Sequence, residues 1–295
     1  MRYLVTGGAG FIGSNLVDKL IEEGDEVVCI DNESAECHDN FYWNNKAENY
    51  KYDICDYDLI EPLFKNVDCV FHIASDARIQ PAILNPKKSI HSNAIGTANV
   101  LELSRINNVK RFIYSSTSSA YGKKSLTPNT ESQPSDPLTP YSAAKVFGEN
   151  LAKVYYNLYG LETISLRYFN VYGNRQPLKG QYAPVIGLFL KQKNEGNPLT
   201  IVGDGLQKRD FTHVSDIVEA NIRASEVKKG FGEVYNVGYG HNYSILEIAN
   251  MVSDNIKFIP PRIGEAQETL ASNLKFKELT GWVPQTSLKD WLNND

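Results

Sequence analysis

Tyr141 and Lys145 are the two side chains of this sequence whose types and spacing are best suited to proton transfer. They occupy positions i and i+4 of the segment YSAAK, which is predicted to be helical, so both project from one helix face. A free tyrosine has a pKa of about 10 and is a poor base at neutral pH, but a neighbouring ammonium favours the phenolate and lowers that pKa. The pair therefore predicts a tyrosine base, although an exposed pair on an amphipathic helix is the alternative for this motif taken alone.

A cluster of hydroxyl side chains precedes this helix, in the segment YSSTSSAYG (114–122). The segment closes a predicted strand, and hydroxyls at the carboxyl end of a parallel strand point into the crevice where such sheets bind ligands. Thr117 or Ser118 is placed to hydrogen-bond a substrate hydroxyl together with Tyr141, the alternative being a serine-rich turn without chemistry. No GxSxG element supports a serine hydrolase, and His72 and His213, next to strand segments, are expected to be structural.

A glycine-rich loop, TGGAGFIG, follows the first predicted strand and opens a helix. Gly8, Gly10 and Gly13 fit GxGxxG, and Gly7, Gly10 and Gly13 fit the related GxxGxxG spacing. Such glycines permit a tight turn and a close approach of the backbone to a pyrophosphate, which the N–H groups of the helix N-terminus receive. A glycine triplet alone also fits a plain turn, so it is the place between strand and helix that predicts a dinucleotide site.

An acid supports the dinucleotide site and indicates which dinucleotide it takes. Asp31 ends the second predicted strand, eighteen residues after Gly13. A carboxylate there accepts hydrogen bonds from the adenosine ribose and repels the 2′-phosphate of NADP, and no arginine stands beside it. Asp53, after the third strand, is expected at the adenine edge, or else is a surface acid of DICDYD. NAD is the predicted cofactor, and its positive nicotinamide ring would further favour the Tyr141 phenolate.

The elements that must position these residues alternate between strand and helix. The predicted strands are short and several are continuously apolar, as in a parallel sheet buried on both faces: RYLVT (2–6), EVVCI (26–30), NYKYD (49–53), DCVFHI (68–73), RFIYSS (111–116) and ETISLRYF (162–169). The helical segments between them often end in Gly or Asn: 11–24, 58–66, 87–108 and 139–160. This alternation predicts an α/β fold, a Rossmann-type doubly wound parallel sheet.

After residue 170, Gly, Pro and polar residues become frequent, which predicts a smaller C-terminal α/β substrate domain with long loops. The segment 212–238 is expected to return to the main sheet. We therefore predict an NAD-binding domain of residues 1–170 with 212–238, and a substrate-binding domain of residues 171–211 with 239–295.

Composition and charge exclude several classes of protein. The chain of 295 residues is 42% hydrophobic and 22% charged, which excludes a disordered or fibrous protein. Its net charge of −5 leaves no global electrostatic footprint for nucleic acid. The nearly apolar run 182–190 is too short to cross a bilayer, and the N-terminus lacks the features of a signal peptide. We predict a cytoplasmic protein that binds no metal, nucleic acid or membrane, and whose four cysteines are buried thiols: Cys29, Cys37, Cys55 and Cys69.

Taken together, these motifs resemble the extended short-chain dehydrogenase/reductase family and, within it, the nucleotide-sugar 4-epimerases. The segments that carry the resemblance are TGGAGFIGS, Asp31, FHIAS (71–75), SSTSSAYG, YSAAK, LRYFNVYG (166–173) and GDG…RDFTHVSD (203–216). The resemblance runs from Met1 to about Trp291 and is more specific for the family than for the substrate. It implies a Rossmann domain with resident NAD, a small substrate domain, and a homodimer that pairs the helices at about 86–107 and 140–159.

The resemblance also implies roles for individual residues. Tyr141 would be the base, Lys145 its electrostatic partner and a ribose ligand, and Thr117 the donor to a substrate hydroxyl. NAD would contact the phosphate loop and the strand ends: Gly7, Gly10, Phe11, Ile12, Gly13, Asp31, Asn32, Asp53, Ile54, Ile73, Ala74, Ser75, Asn93, Ser115, Tyr141, Lys145 and Tyr168. The UDP-sugar would contact a second set: Arg78, Thr117, Ser118, Asn170, Ala183, Val185, Thr200, Val202, Arg209, Arg262 and Thr269. Within that set the guanidinium forks of Arg209 and Arg262 suit a diphosphate.

The reaction that the resemblance implies is a reversible oxidation of the sugar. Tyr141 would take the proton of the hexose 4-hydroxyl while a hydride passes from C4 to the nicotinamide. The 4-keto sugar would then turn about its diphosphate and receive the hydride on its opposite face.

Three details of the sequence bear on the substrate. Dehydratases and decarboxylases of the family carry an acid where this chain has Thr117-Ser118-Ser119, which favours epimerisation. Thr269 stands where strict UDP-glucose/galactose epimerases have a bulky aromatic residue, and it predicts a pocket with room for an N-acetyl group. Arg78 stands where epimerases commonly have a small residue, and it would contact a charged sugar such as a uronate or form a salt bridge outward.

The sequence therefore predicts 4-epimerisation of a UDP-hexose, with UDP-N-acetylglucosamine/galactosamine ahead of UDP-glucose/galactose. The alternative enzyme is a UDP-glucuronate epimerase or decarboxylase. The alternative from another class is a non-catalytic NAD-binding scaffold, against which the intact Tyr141, Lys145 and Thr117 argue.

Overall fold

A parallel seven-stranded sheet forms the centre of the computed structural model, which describes residues 1–38, 40–123, 126–179 and 183–294. In chain order the strands are β1 (Arg2–Thr6), β2 (Glu26–Ile30), β3 (Glu48–Tyr50), β4 (Cys69–His72), β5 (Arg111–Thr117), β6 (Glu162–Tyr168), β7 (Val171–Tyr172), β8 (Leu199–Val202), β9 (Lys208–Asp210), β10 (Thr212–His213), β11 (Glu233–Val237), β12 (Asn242–Ser244) and β13 (Ile256–Ile259). The central sheet has the order β11-β6-β5-β4-β1-β2-β3, and every pairing in it is parallel. The predicted doubly wound α/β fold is confirmed.

Helices cover both faces of this sheet. They are α1 (Phe11–Glu22), α2 (Tyr57–Ile60), α3 (Ile79–Leu84), α4 (Pro86–Ile90), α5 (Gly96–Ile106), α6 (Pro140–Tyr159), α7 (Val185–Asn194), α8 (Val214–Glu226), α9 (Ile245–Val252), α10 (Leu274–Thr280) and α11 (Leu288–Asn294). A π-helical turn (His91–Ile95) joins α4 to α5, and 3₁₀ turns lie at Glu61–Phe64 and Ser118–Tyr121. The single helix predicted over 87–108 is thus a helix with a π-helical turn inside it.

The two faces of the sheet bury separate apolar cores. On one face, Leu16 and Val17 of α1 pack with Ile217 of α8 against strand residues such as Val5. On the other face, α5 and α6 cover a core that includes Leu4, Val70, Leu101, Phe112 and Ala152. Because apolar side chains leave water on both faces, the strands are continuously apolar rather than alternating.

The third strand is shorter than its sequence pattern predicts. The segment 49–53 was expected to be extended to its end, but β3 stops at Tyr50. Asp53 accepts hydrogen bonds from Asn32 Nδ2 at 2.7 Å and from the backbone N–H of Cys55 at 2.8 Å. Such a side-chain-to-backbone bond two residues on closes a turn, so Asp53 belongs to the turn after the strand.

The segment after Asn170 builds a smaller lobe from three two-stranded sheets, β7 with β10, β8 with β13 and β9 with β12. Its apolar core contains Phe189 of α7, Ile201 of β8 and Ile248 of α9. Between these pieces the chain returns to the large sheet, where β11 pairs with β6. The exact domain boundaries predicted from the sequence stay a prediction.

His72 and His213 make contacts within the fold, whereas two of the four cysteines are more exposed than expected. His72 is buried and lies 2.7 Å from Thr6 Oγ1 and 2.8 Å from Thr97 Oγ1, and burial holds its pKa well below the usual range. His213 caps α8 by accepting the N–H of Ser215. All four cysteines are free thiols, but only two are buried; the expectation of four buried thiols is wrong for Cys37 and Cys55, which are half-buried. Within the described ranges no helix has the length and apolar character needed to span a bilayer.

Candidate active site

The carboxyl ends of the parallel strands open into one cavity of about 1070 Å³. It extends from the loop after β1, past the ends of β4, β5 and β6, to β8, β9 and the loop 262–269 of the smaller lobe. Open α/β sheets bind their ligands at this edge. The cavity is large enough to hold a dinucleotide and a second ligand side by side.

At two positions of the glycine-rich loop only glycine fits. Gly7 has a φ of +69°, and a Cβ there would lie 2.7 Å from the backbone nitrogen of Ala74. A Cβ at Gly13 would overlap the carbonyl oxygen of Gly7. Gly10 caps α1 without a side chain, and a Cβ at Gly10 would project towards Asp31 Oδ2 and His38 Nε2, into the cradle at the helix N-terminus. The N–H groups of Phe11, Ile12 and Gly13, in the first turn of α1, have no intrahelical partners and adjoin this cradle, which suits a pyrophosphate.

Asp31 lies at the end of β2 with its carboxylate held towards this loop. It accepts hydrogen bonds from the N–H of Ala9 at 3.1 Å and of Glu33 at 2.7 Å. Burial raises the pKa of Asp31, and these backbone donors oppose the rise. Asn32 lies beside it in the cavity wall, where the two could meet the adenosine ribose.

Tyr141 stands in the first turn of α6, which a capping box places. Thr139 Oγ1 accepts the N–H of Ser142, the Ser142 hydroxyl accepts the N–H of Thr139, and Pro140 fills the first helical position. The hydroxyls of Thr117 and Ser75 lie near the Tyr141 phenol and act to lower its pKa. Tyr141 and Thr117 therefore lie near each other in the wall of the cavity.

The prediction of a lowered tyrosine pKa is wrong for the protein without its ligands. Burial raises the pKa of Tyr141, and the hydrogen bond from Thr117 and the charge of Arg78 only partly oppose it. The expected helper, Lys145, points elsewhere: its Nζ donates to the carbonyl oxygen of Ser115 at 2.7 Å. Burial also lowers the pKa of Lys145 to about 7, so its own charge is easily lost. A tyrosine base in this site needs a positive charge that a ligand brings.

A buried ion pair lies behind Lys145, and no sequence motif indicated it. Glu149, one turn further along α6, accepts from Arg167 Nε at 2.8 Å and Nη2 at 2.7 Å, and from Ser116 Oγ at 2.5 Å. Arg167 also lies 4.6 Å over the ring of Tyr121. The network ties α6 to β5 and β6 directly beneath the catalytic candidates. Only the i+4 spacing from Lys145 to Glu149 could have pointed to it.

The smaller lobe contributes the far wall of the cavity. Arg209 Nη2 lies 3.4 Å from Glu265 Oε2, and burial lowers the pKa of Arg209. Asn170 Nδ2 donates to the carbonyl oxygen of Asp210 at 3.0 Å, which joins the two lobes. The buried Oγ1 of Thr269 has no hydrogen-bond partner among the described residues, and Thr269 lines the cavity.

Most of the residues singled out in the sequence line this one cavity. They are Gly7, Gly10, Phe11, Ile12, Gly13, Asp31, Asn32, Ile54, Ile73, Ala74, Ser75, Arg78, Ser115, Thr117, Ser118, Tyr141, Lys145, Tyr168, Asn170, Ala183, Val185, Thr200, Val202, Arg209, Arg262 and Thr269. Their roles towards each ligand stay predictions.

Two predicted ligands do not line it. Asp53 is held in the turn after β3, bonded to Asn32 and Cys55. Asn93 is buried behind the wall, where its Oδ1 accepts from Ser75 Oγ at 2.8 Å and from the N–H of Asp76 at 3.1 Å. Asn93 therefore positions the loop that carries Ser75 rather than forming the cavity surface.

Several residues that no sequence motif indicated also line the cavity: Ser34, Ala35, Glu36, Cys37, His38 and Phe41. Backbone hydrogen bonds hold these described residues and their neighbour Tyr42 in place: the N–H of Tyr42 donates to the carbonyl oxygen of Ala9, and the N–H of Lys179 donates to that of Cys37.

Comparisons with known proteins agree with this arrangement. Residues 3–238 match the model of the NAD dependent epimerase/dehydratase family. A UDP-glucose 4-epimerase of Thermotoga maritima, solved with UDP-glucose, superposes with a TM-score of 0.94 at 36% identity, covering 99% of this chain and 96% of that one. A UDP-N-acetylglucosamine 4-epimerase of Methanobrevibacter ruminantium, solved with UDP-N-acetylmuramic acid, gives 0.92 at 33% identity, with 99% and 95% covered. A UDP-glucuronate 4-epimerase of Thermodesulfobacterium geofontis is 34% identical over 307 residues, 98% of this chain and 93% of that one.

Proposed function

The chain belongs to the NAD dependent epimerase/dehydratase family, and from this premise we propose that it epimerises a UDP-hexose at C4 through a transient 4-keto sugar. One observation carries the proposal: the neighbouring hydroxyls of Tyr141 and Thr117 lie in the same cavity as the phosphate loop and as Arg209 and Arg262. The likeness to 4-epimerases along the whole chain supports it.

NAD is the cofactor of this family, and the residues present fit it. The cradle at Gly10 is open for a pyrophosphate, and Asp31 is placed for a ribose that has no 2′-phosphate. When bound, NAD supplies a hydride acceptor and a positive charge. That positive charge would favour the Tyr141 phenolate and oppose the burial that raises its pKa.

The residues of the chain then divide the work. Tyr141 takes the proton of the sugar 4-hydroxyl and returns one after the sugar has turned, while Thr117 hydrogen-bonds the same oxygen. Lys145, held on the Ser115 carbonyl, positions the part of α6 that carries the base against the end of β5. Arg209 and Arg262 hold the diphosphate, which acts as the pivot of the turning sugar.

The absence of an acid after Thr117 favours epimerisation over elimination or decarboxylation. Ser118 and Ser119 occupy the positions where a carboxylate would be needed, and Ser118 lines the cavity. Thr269 leaves room beside the sugar, which supports UDP-N-acetylglucosamine and UDP-N-acetylgalactosamine as substrates alongside UDP-glucose and UDP-galactose.

We further propose that the protein is a homodimer through the α4–α5 and α6 helices. Phe147, Val154 and Leu158 form an exposed apolar stripe along α6, at helical spacing. Ile90 and Ile95 are exposed on the neighbouring segment from α4 to the π-helical turn. A second copy placed here would pair the two stripes with their equivalents about a twofold axis.

Product analysis tests the function. Purified protein is incubated, without added reductant, with UDP-N-acetylglucosamine, UDP-glucose or UDP-glucuronate, and the products are separated by anion exchange and identified by NMR. The expected result is conversion of at least one substrate to its 4-epimer with no net NADH. Release of a UDP-pentose would make the protein a decarboxylase, and no turnover with NAD bound would leave a binding scaffold.

A further inference from the structure

Arg78 brings a positive charge to the cavity wall and forms no ion pair with the acids that the structure describes. The residue is half-buried at the start of α3 and lines the cavity. Its Nε faces the Cys37 sulfur at 3.5 Å, and within the described ranges no carboxylate lies at ion-pair distance from its guanidinium. Arg209, by contrast, is paired with Glu265. A partly desolvated guanidinium that forms no ion pair with the described acids favours an anion brought by a ligand.

The position of Arg78 indicates which anion this is. Its charge lowers the pKa of Tyr141, so the guanidinium acts on the hydroxyl that would face the reacting sugar carbon. The diphosphate of the sugar nucleotide has Arg209 and Arg262 in the smaller lobe, and the cofactor pyrophosphate has the cradle at Gly10. An anion that lies beside Tyr141 would therefore be a group on the sugar itself.

The other polar groups around this place are compatible with a carboxylate. Thr117, Ser118 and Ser119 contribute hydroxyls to the cavity wall and no negative charge. Asp76 is a described acid near Arg78; burial raises its pKa, and the charges of Lys88 and Arg78 oppose that rise. Hydroxyl donors on one side and a planar guanidinium on the other can hold both oxygens of a carboxylate.

We propose that Arg78 selects nucleotide sugars that carry a carboxylate on the hexose, so that UDP-hexuronates are preferred over the uncharged UDP-sugars that the same site accepts. The inference rests on the proposed function, because it assumes the same UDP-sugar in the same cavity, and it adds the substrate class and the residue that sets it. Arg78 belongs to the Rossmann side of the cavity and Thr269 to the smaller lobe, which suits contacts with different parts of the sugar.

The test compares two substrates that differ only at C6. The ratio of kcat/KM for UDP-glucuronate to that for UDP-glucose is measured for the wild type, Arg78→Gln and Arg78→Lys. The ratio is the right readout because the loss of a charge near Tyr141 affects both substrates alike. Lys88→Gln is the matched control, since Lys88 also lines the cavity but is paired with Glu36 at 3.5 Å. The NAD content of each purified variant is measured by release and chromatography.

The wild type should favour UDP-glucuronate, and Arg78→Gln should lower the ratio by about 10- to 100-fold, the usual range for a charged hydrogen-bonded contact. Arg78→Lys should recover part of the ratio, and Lys88→Gln should leave it unchanged. The inference is overturned if Arg78→Gln slows both substrates equally, if it mainly depletes NAD, or if the wild type epimerises UDP-glucose and not UDP-glucuronate; the proposed function survives all three results.

A failure of the proposed function is seen separately. If no UDP-sugar turns over, the role of Arg78 is tested by binding. Calorimetry measures the affinity of UDP-glucuronate and of UDP-glucose for the wild type and for Arg78→Gln. Tighter binding of UDP-glucuronate that disappears in the variant supports the carboxylate assignment, and equal binding of both sugars overturns it.

Discussion

Lys145 donates a hydrogen bond from its ammonium nitrogen to the carbonyl oxygen of Ser115, 2.7 Å away, although thirty residues separate the two in the chain. The bond fastens the first turns of α6 to the end of β5. Because Tyr141 is on that part of α6 and Thr117 on that part of β5, it also fixes the distance between their hydroxyls. The lysine therefore has a structural duty in addition to any contact with a ligand.

Tyr141→Phe should abolish most turnover while leaving the fold and the bound NAD intact. Removal of a general base costs about 10²- to 10⁴-fold in kcat. Tyr155→Phe is the matched control, because Tyr155 is on the same helix and its hydroxyl bonds Glu102 at 3.0 Å, outside the cavity. Steady-state kinetics and NAD content are measured for both. Full activity in Tyr141→Phe would refute the assigned base.

Folding stability should depend on pH through Lys145. Burial lowers its pKa from 10.5 to about 7 in the folded protein. Below about pH 7 the lysine is protonated in both states, and the folded state bears the full cost of a buried charge. As pH rises from 7 towards 10.5 the unfolded chain keeps a proton that the folded chain has lost, so this group's destabilising effect fades.

The measurement is urea unfolding of nucleotide-free wild type and Lys145→Met across this pH range. The free energy of unfolding of the wild type should rise relative to that of the variant as the pH increases. Comparison with the variant cancels the other titrating groups. A constant difference between the two proteins would show that Lys145 keeps its ordinary pKa when buried.

Arg167→Met should destabilise the protein by about 3–5 kcal/mol, because it leaves the Glu149 carboxylate buried without its partner. Both side chains of this pair are about 5% exposed. Arg223→Met is the control: Arg223 forms an exposed pair with Glu219 at 2.6 Å, and its loss should cost at most about 1 kcal/mol. Chemical denaturation gives both values, and similar losses would contradict the buried-pair argument.

Thr269→Tyr should reduce the turnover of UDP-N-acetylglucosamine far more than that of UDP-glucose. The ring would fill the space beside the sugar that the small residue leaves, and overpacking of a bound N-acetyl group costs about 1–3 kcal/mol. The two kcat/KM values of one variant serve as each other's control. Equal losses for both sugars would mean that Thr269 does not face the sugar substituent.

Phe147→Glu combined with Leu158→Glu should convert the proposed dimer to a monomer. Charges in the middle of an apolar interface must be desolvated without partners, which opposes association. Leu59→Glu, on an exposed apolar residue of α2, controls for a general effect of added charge. Sedimentation velocity measures the mass of each, and a wild type that sediments as a monomer would remove the basis of the proposal.

The strands and the ligand loop could be predicted because each depends on local sequence. Continuous apolar runs and the spacing of Gly7, Gly10 and Gly13 leave few alternatives for β1 and the start of α1. Tyr141 and Thr117 could be placed together because parallel strands and the helices after them deliver side chains to one edge of the sheet.

The remainder depends on contacts between distant segments. The pKa of Tyr141 follows from how deeply the folded chain buries it, and the lysine expected to lower it is bound to Ser115 instead. Asn93 has an amide side chain that could bind a cofactor, but it accepts a hydrogen bond from the Ser75 hydroxyl instead. The Glu149–Arg167 pair joins α6 to β6 across 18 residues of chain. No local pattern specifies any of the three.

The last strand of the large sheet, β11, follows the first part of the smaller lobe in the chain. The larger lobe is therefore incomplete without residues that come after that part. A fragment that stopped before residue 212 would leave β6 as an open edge, with the backbone groups that pair Ile164, Leu166 and Tyr168 to β11 facing water. Such unpaired, apolar edges recruit strands from other chains. The larger lobe is therefore not a portable module: expressed without its last strand, it should aggregate rather than fold as a nucleotide-binding unit.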